Sequence, residues 1–278
     1  MIEMAISLFP TGCVRSPMNG ELKWPSDLDP NTVCLTVDVE WAADEVLSDL
    51  RQLFDQHGVR ATFFVTHAGV ETSGHERGLH PNFRRDGDTV RKLTDSHRGD
   101  ALTDAQLHDH VVATTHGFAP EAKGLRSHSL HYDSTLLPVY RRAGLEYDCS
   151  YQIPFVTGLR PFWKHHDILE IPTYYADHFD VITGATEFDL TGLKLDRPGL
   201  KVFDFHPNLI FINAASDAEY VSTKGFYHDP DRLLAARNTG RGVRTLLLDL
   251  LGEISARGLP TATVGDVNAK WRAVPKWT

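Results

Sequence analysis

Asp38 and Glu40 stand two apart in Thr36-Val-Asp38-Val-Glu40-Trp41, in a segment that is otherwise largely apolar or β-branched. Alternate side chains of a strand share a face. Thr36, Asp38 and Glu40 are therefore expected on one side, with Val37 and Val39 on the other. Two carboxylates at the end of an apolar strand call for a cation or a shared proton, because unpaired buried charge is costly. The plainer alternative has Asp38 capping the next helix and Glu40 solvated. Three further runs have the same character. His80, in Gly78-Leu-His80-Pro81, ends a short strand and begins a loop. Arg126 and His128, in Gly124-Leu-Arg126-Ser-His128-Ser-Leu-His131, share a face, and an arginine at a strand end can grip a carboxylate with two N–H groups. Asp204 and His206, in Val202-Phe-Asp204-Phe-His206-Pro, also share a face, and a carboxylate can orient a nearby imidazole and raise its basicity. Any one run can be a structural pair; the combination is more specific. A carboxylate with two histidines is a recurring divalent-metal set that leaves coordination positions open, and a leftover Asp and His would then serve as base and acid.

Competing chemistries fail on spacing. Gly74-His75-Glu-Arg-Gly78-Leu-His80 is not a zinc-protease helix, since its histidines are five apart and Gly78 and Pro81 break the helix. No Gly-x-Ser-x-Gly elbow is present, and the Gly240-Arg-Gly242 run does not follow a strand. A glycoside hydrolase needs carboxylates that bracket a glycosidic bond, which an i, i+2 pair on one strand does poorly. The formal charge of −9 and the lack of a basic run argue against a nucleic-acid partner. No apolar stretch is long enough for a membrane span, and the N-terminus makes a poor signal peptide, so a cytoplasmic location is expected. Cys13, Cys34 and Cys149 are odd in number and far apart, which fits neither a disulfide framework nor a zinc finger.

The elements that must position these residues alternate. Strands are expected at Val33–Val39, Ala61–Thr66, Gly78–His80, Gly124–His128, Glu146–Ser150, Ile168–Ile171, Lys201–Phe205 and Thr261–Val264, with Leu209–Asn213 as a short apolar run. Helices are expected at Trp41–His57, Thr103–His116 (capped by Thr103), Ser134–Ala143 and Val243–Arg257. Strand–helix alternation means βαβ units around a parallel sheet, and seven or eight units favour a barrel over an open sheet. One domain over 31–270 is expected, preceded by an irregular arm over 1–30 that is punctuated by prolines. The segments His67–Arg91 and Pro172–Pro198 are long for plain connections and suit functional loops at a barrel mouth.

In motif order the chain resembles the polysaccharide deacetylase (NodB-homology, carbohydrate esterase 4) superfamily, over roughly residues 32–265. Thr36-Val-Asp38-Val-Glu40 resembles the family's Thr-Phe-Asp-Asp-Gly. Ala61-Thr-Phe-Phe-Val65 is similar to its second strand, Gly78-Leu-His80 to its Gly-x-His, Arg126 to the arginine of its third motif, and Phe205-His206 to the end of its Leu-x-His, with Asp204 in place of the leucine. The wording of the motifs is similar to a divergent bacterial branch found with surface-polysaccharide genes. The resemblance implies a distorted (β/α)7 barrel and metal-dependent hydrolysis of an N-acyl group, commonly N-acetyl on an amino sugar. It implies Asp38 as general base and His206 as general acid. Two positions depart from the pattern. The family's second Asp is Val39 here, so Glu40 (or Asp38) is the expected carboxylate ligand; its second His falls on Arg84. His128 is the expected replacement beside His80, with His131 and His75 in reserve. One divalent ion is expected; the ligand set suits zinc and also iron, cobalt or nickel. Arg126 should keep Asp38 ionised, and Asp204 or another acid should orient His206. Phe162, Trp163 and Tyr174 or Tyr175 either wall a sugar ring or pack in the core. The substrate is expected to be a carbohydrate or small N-acylated molecule. An inactive carbohydrate-binding relative, or a deformylase or cyclic-amide hydrolase on the same barrel, is the alternative.

Overall fold

Among the described residues nine short strands form one sheet: β1 (Val33–Asp38), β2 (Ala61–Val65), β3 (Glu76–Leu79), β4 (Gly124–Leu125), β5 (Tyr147–Asp148), β6 (Phe162–Trp163), β7 (Leu169–Glu170), β8 (Tyr175–Ala176) and β9 (Lys201–Phe205). The computed structural model describes residues 24–96, 102–184 and 187–274. The strand order is β6-β7-β5-β4-β3-β2-β1-β9-β8, with every pairing parallel except β6 against β7. β7 and β8 lie on one stretch of backbone. The N–H groups of Leu169 and Ile171 bond to the carbonyls of Glu146 and Asp148 on the β5 side, and that of Tyr174 bonds to Val202 of β9. This stretch carries the sheet from β5 round to β9. The result is a distorted (β/α)7 barrel, with β6 as an antiparallel appendage.

The period of two decides what faces where. Val33, Leu35, Val37, Phe63, Phe203 and Phe205 point outward and pack with the surrounding helices in the largest hydrophobic cluster. Cys34, Phe64, Tyr147, Cys149, Leu169 and Val202 form a second cluster inside the barrel. Cys34 and Cys149 are free and buried. Glycines admit the large interior rings: a Cβ on Gly124 would collide with Tyr147, and one on Gly78 with Phe64.

Helices Asp44–Gln56, Asp104–His116, Leu136–Arg142 and Val243–Arg257 form where the apolar periodicity places them. Thr103 caps its helix through a reciprocal pair with Gln106. Several expectations are corrected. The first helix starts at Asp44, because Glu40 and Trp41 occupy left-handed turn conformations (φ 50° and 56°). The run Leu209–Asn213 belongs to the helix Pro207–Phe211, and Pro207 opens it at a position that needs no N–H. Thr261–Val264 is not a strand: Thr261 makes a single bridge to Val33, and Thr263 caps the helix Val264–Arg272 by accepting from the Asp266 N–H. That helix seals the barrel at the N-terminal ends of the strands. Val264, Val267 and Trp271 join the interior cluster, and the Val264 N–H donates to Thr62 of β2. The irregular arm falls mostly outside the described residues, but Trp24 packs edge-on against Trp271 and Leu28 is buried in the interior cluster. With one end closed, the C-terminal ends of the strands form the open mouth. Among the described residues no helix is long and apolar enough to cross a membrane.

Candidate active site

Asp38 is the last residue of β1 and points into the barrel like Thr36 and Cys34 before it. The chain then turns through the left-handed conformations of Glu40 and Trp41, which β-branched residues would resist. The turn brings the Glu40 carboxylate back over the mouth. Its Oε1 accepts from His80 Nε2 at 3.0 Å and from His128 Nδ1 at 2.8 Å. His80 follows directly on β3 and is fully buried, and His128 opens a short 3-10 turn after β4. One ligand atom from each of Glu40, His80 and His128 lies within 4.8 Å of the others.

This donor set fits a divalent cation. It combines one carboxylate with two imidazoles, as zinc and its neighbours prefer. The Nδ1 of His80 is buried without a hydrogen bond and lies 3.6 Å from Asp38 Oδ1. A cation on Nε2 would leave the ring proton on Nδ1, facing that carboxylate, which is the usual outer support of a ligating histidine.

Below this set, Arg126 is completely buried just past β4. Its Nη1 donates to Asp38 Oδ1 at 3.0 Å and to Asp204 Oδ1 at 2.6 Å, Nη2 to Thr173 at 3.1 Å and Nε to the Cys149 carbonyl at 3.2 Å. The guanidinium also lies over the Phe64 ring at 4.6 Å. Burial raises the pKa of Asp38, but His80 and Arg126 outweigh it and hold this carboxyl below its usual range. Glu40 is likewise held well below by hydrogen bonds from His128 and His80, against its burial. Asp204 goes the other way: burial, aided by Asp38 and opposed by Arg126, pushes it up to about 7.

His206 follows β9 and occupies the N-cap position of the helix Pro207–Phe211, without a side-chain capping bond. Its Nδ1–H donates to Asp177 Oδ1 at 2.6 Å, and its backbone N–H donates to Asp177 Oδ2 at 2.9 Å. Burial lowers the affinity of the His206 ring for a proton, but Asp177 more than reverses this and pushes it up to about 10. His178 packs edge-on against His206 at 4.7 Å, and burial together with His206 brings its pKa down to about 4. Asp38, Glu40, His128, His178, Asp204 and His206 all line one cavity of about 360 Å³.

A family model for WbmS-like polysaccharide deacetylases matches residues 35–224. The chain belongs to this family. It is thereby a member of the NodB-homology deacetylase superfamily. Among solved structures it is similar to a protein of Bordetella bronchiseptica assigned as a polysaccharide deacetylase involved in O-antigen biosynthesis. The identity is 30%, the match covers 80% of this chain and 90% of that one, and the TM-score is 0.67. It is also similar in fold to a protein of Mycobacterium smegmatis assigned as a polysaccharide deacetylase, at 16% identity over 92% of this chain and 95% of that one, with a TM-score of 0.53. Among curated proteins no significant match exists.

In this WbmS-like chain all seven residues singled out in the sequence meet at the mouth: Asp38, Glu40, His80, Arg126, His128, Asp204 and His206. The two reserves do not. His75 sits at the base of β2, where its Nδ1 accepts from the Ala61 N–H, and His131 packs on Phe83. Arg84 is exposed and pairs with Asp86. Asp204 lies near His206 but spends its hydrogen bond on Arg126; the acid that orients His206 is Asp177. Sequence reading missed Asp177 because it lies in Pro172–Pro198, read as a loop. The available signal was Tyr174-Tyr175-Ala176, a strand-like run directly before an acid. Tyr174 and Tyr175 pack in the core, whereas Phe162 is exposed.

Proposed function

We propose that this family member is a metal-dependent amide hydrolase that removes an N-acyl group, in the first instance N-acetyl, from an amino sugar or a sugar-containing precursor. The observation that carries this reading is the convergence of Glu40, His80 and His128 at one side of a cavity that also holds Asp38 and the His206–Asp177 pair. Glu40, His80 and His128 would hold the ion. A divalent ion there supplies Lewis-acid polarisation of the acyl carbonyl.

The chain's own residues carry the protons. Asp38, kept ionised by Arg126 and His80, takes the proton of the attacking water. Arg126 also fixes the direction of the carboxylate, since one nitrogen is shared between Asp38 and Asp204. His206, held protonated and oriented by Asp177, gives its proton to the departing amine. The new C–O bond forms to the water oxygen as the amide C–N bond breaks; the products are the free amine and a carboxylic acid, Asp38 is left protonated and His206 neutral, and proton exchange with solvent restores both. Leu130, Phe179, Val181, Ile182 and Leu209 form the apolar part of the cavity.

The test is elemental analysis joined to acetate release from N-acetylated amino sugars. About one divalent ion per chain, with chelator-sensitive turnover that a His206→Ala variant lacks, is the expected result. Full turnover after complete chelation, or in His206→Ala, overturns the reading.

A further inference from the structure

Glu40 reaches His80 and His128 only because the chain turns sharply after β1. The turn spans Val39–Ala42 and is closed by the Ala42 N–H, which donates to the Val39 carbonyl at 3.0 Å. Its two central residues, Glu40 and Trp41, are both left-handed, at φ 50° and 56°. That geometry ordinarily belongs to Asn, Asp and Gly. A glutamate and a tryptophan there are strained, and such strain persists only where the surroundings hold it. Burial of Trp41 does not supply the hold, since the residue is 38% exposed.

Two side chains do. The single peptide group between Glu40 and Trp41 is gripped at both ends. Its N–H donates to Thr66 Oγ1, just past β2, at 3.0 Å. Its carbonyl accepts from the Tyr227 hydroxyl at 2.9 Å, across 187 residues of sequence. The peptide plane therefore cannot rotate without breaking both bonds. Rotation of this plane is what would let the turn relax and swing the Glu40 carboxylate off the mouth.

Tyr227 is itself anchored on the other side of the site. Its backbone carbonyl accepts from Asn208 Nδ2 at 3.1 Å, and Asn208 is buried in the helix that begins directly after His206. Tyr227 thus bridges the arm that carries the proposed acid and the turn that carries the proposed carboxylate ligand. Its hydroxyl is also bonded to that of Tyr220. A carbonyl only accepts, so the Tyr227 proton is committed to Glu40, and Tyr220 is the donor of the second pair. Although Tyr227 lines the cavity, it has no proton left for a substrate.

We propose that Tyr227 is a positioning residue, which holds the Glu40 turn in its ion-ligating conformation and sets its place relative to His206. This rests on Glu40 being an ion ligand, as in the function proposed above, and adds to that set a residue that is itself no ligand.

Cobalt(II) titrated into the metal-free, full-length protein tests this, with visible absorption as the readout. The parent should bind about one ion per chain, and Glu40→Ala should lose it. Tyr227→Phe keeps the ring and should bind cobalt about tenfold or more weakly, with altered absorption at saturation, the effect expected when a ligand loses its outer support. Thr66→Val, at the other end of the same peptide, should weaken binding in the same direction. Tyr174→Phe is the control, because it removes a hydroxyl that likewise donates to backbone carbonyls, those of Leu193 and Lys194, and is not joined to Glu40. It should leave cobalt affinity and absorption parental even if the melting temperature falls. Unchanged affinity and absorption in Tyr227→Phe, or equal changes in Tyr174→Phe, overturn the positioning role alone. A parent that binds no cobalt, or an equally tight Glu40→Ala, overturns the ligand set and the positioning role together. Weakened cobalt binding in Tyr227→Phe, with no acetate released by any of these proteins, upholds the positioning role and rejects the hydrolase reading alone.

Discussion

Asp177 grips His206 twice, through the ring Nδ1–H at 2.6 Å and through the backbone N–H at 2.9 Å. The first bond sets which ring nitrogen faces the cavity and adds a negative charge beside it; the second fixes where the ring starts from the chain. An Asp177→Asn exchange keeps the shape and removes the charge. His206 is pushed up to about 10 mainly by Asp177, against its burial. A general acid works only while protonated, so kcat/KM should fall as pH rises through its pKa. In Asp177→Asn the folded pKa drops, and the alkaline limb should move to lower pH together with a loss of about 10²-fold or more in kcat. A pH–rate profile of the two proteins checks both effects. An unmoved alkaline limb would remove His206 from the role of acid.

The pair also shows what the sequence could and could not convey. Alternation along β1 and β9 places Asp38 and Asp204 on the inner face, because strand geometry is local and has a period of two. Glu40 was also legible as a site residue, but not for the reason the alternation suggests. The strand ends at Asp38, and it is the left-handed turn at Glu40 and Trp41 that returns the carboxylate to His80 and His128. Likewise His128 arrives through a 3-10 turn after a two-residue strand, not on a strand face. Asp177 and His206 are 29 residues apart, and they meet only because β8 and β9 are neighbours. Nothing local in either segment encodes that pairing. The closing helix Val264–Arg272 was hidden for another reason: its strand-like start, Thr261–Val264, is a capping sequence.

Arg126 is the next point of leverage. It sits between two buried carboxylates and is the cation that contacts both. Without it, Asp38 and Asp204 face one another in a buried site where like charges cannot both remain ionised. Asp204, already pushed up to about 7, would take the proton and Asp38 would lose its guide. Arg126→Ala should cost about 3–5 kcal/mol of unfolding free energy, the size expected when one member of a buried ion network is removed. Arg126→Lys should recover part of the stability but little activity, since one ammonium cannot span both acids, Thr173 and the Cys149 carbonyl. Urea unfolding of both variants measures this, and a loss below 1 kcal/mol in Arg126→Ala would mean the carboxylates have other partners.

Gly124 tests the barrel itself. The Tyr147 ring fills the space where its Cβ would stand, and the Tyr147 hydroxyl donates to Glu76 at 2.7 Å, so the ring cannot retreat without breaking a partly buried hydrogen bond. Gly124→Ala should destabilise by about 1–3 kcal/mol through overpacking. Because Arg126 is two residues away, activity should fall as well. A thermal melt together with a specific-activity measurement checks this; a variant as stable as the parent would show that the interior has room the packing does not suggest.

The metal prediction separates ligands from proton carriers. Glu40 is the acceptor shared by His80 and His128, so Glu40→Ala removes the only carboxylate of the set and leaves two imidazoles. His128→Ala leaves one carboxylate and one imidazole. Both variants should lose most of the bound ion, because outer support cannot replace a missing donor. His206→Ala and Asp177→Asn remove groups outside the set and should keep it. Elemental analysis of the four proteins, purified alike, gives the pattern directly: two low, two at the parental level. If His128→Ala retains the full ion, His128 is not a ligand and the set Glu40–His80–His128 falls as the ion's site. If instead His206→Ala loses the ion, a group that contains His206, either Asp38–Asp204–His206 or Asp177–His178–His206, is the true centre, and the division of labour between ligand and acid falls with it.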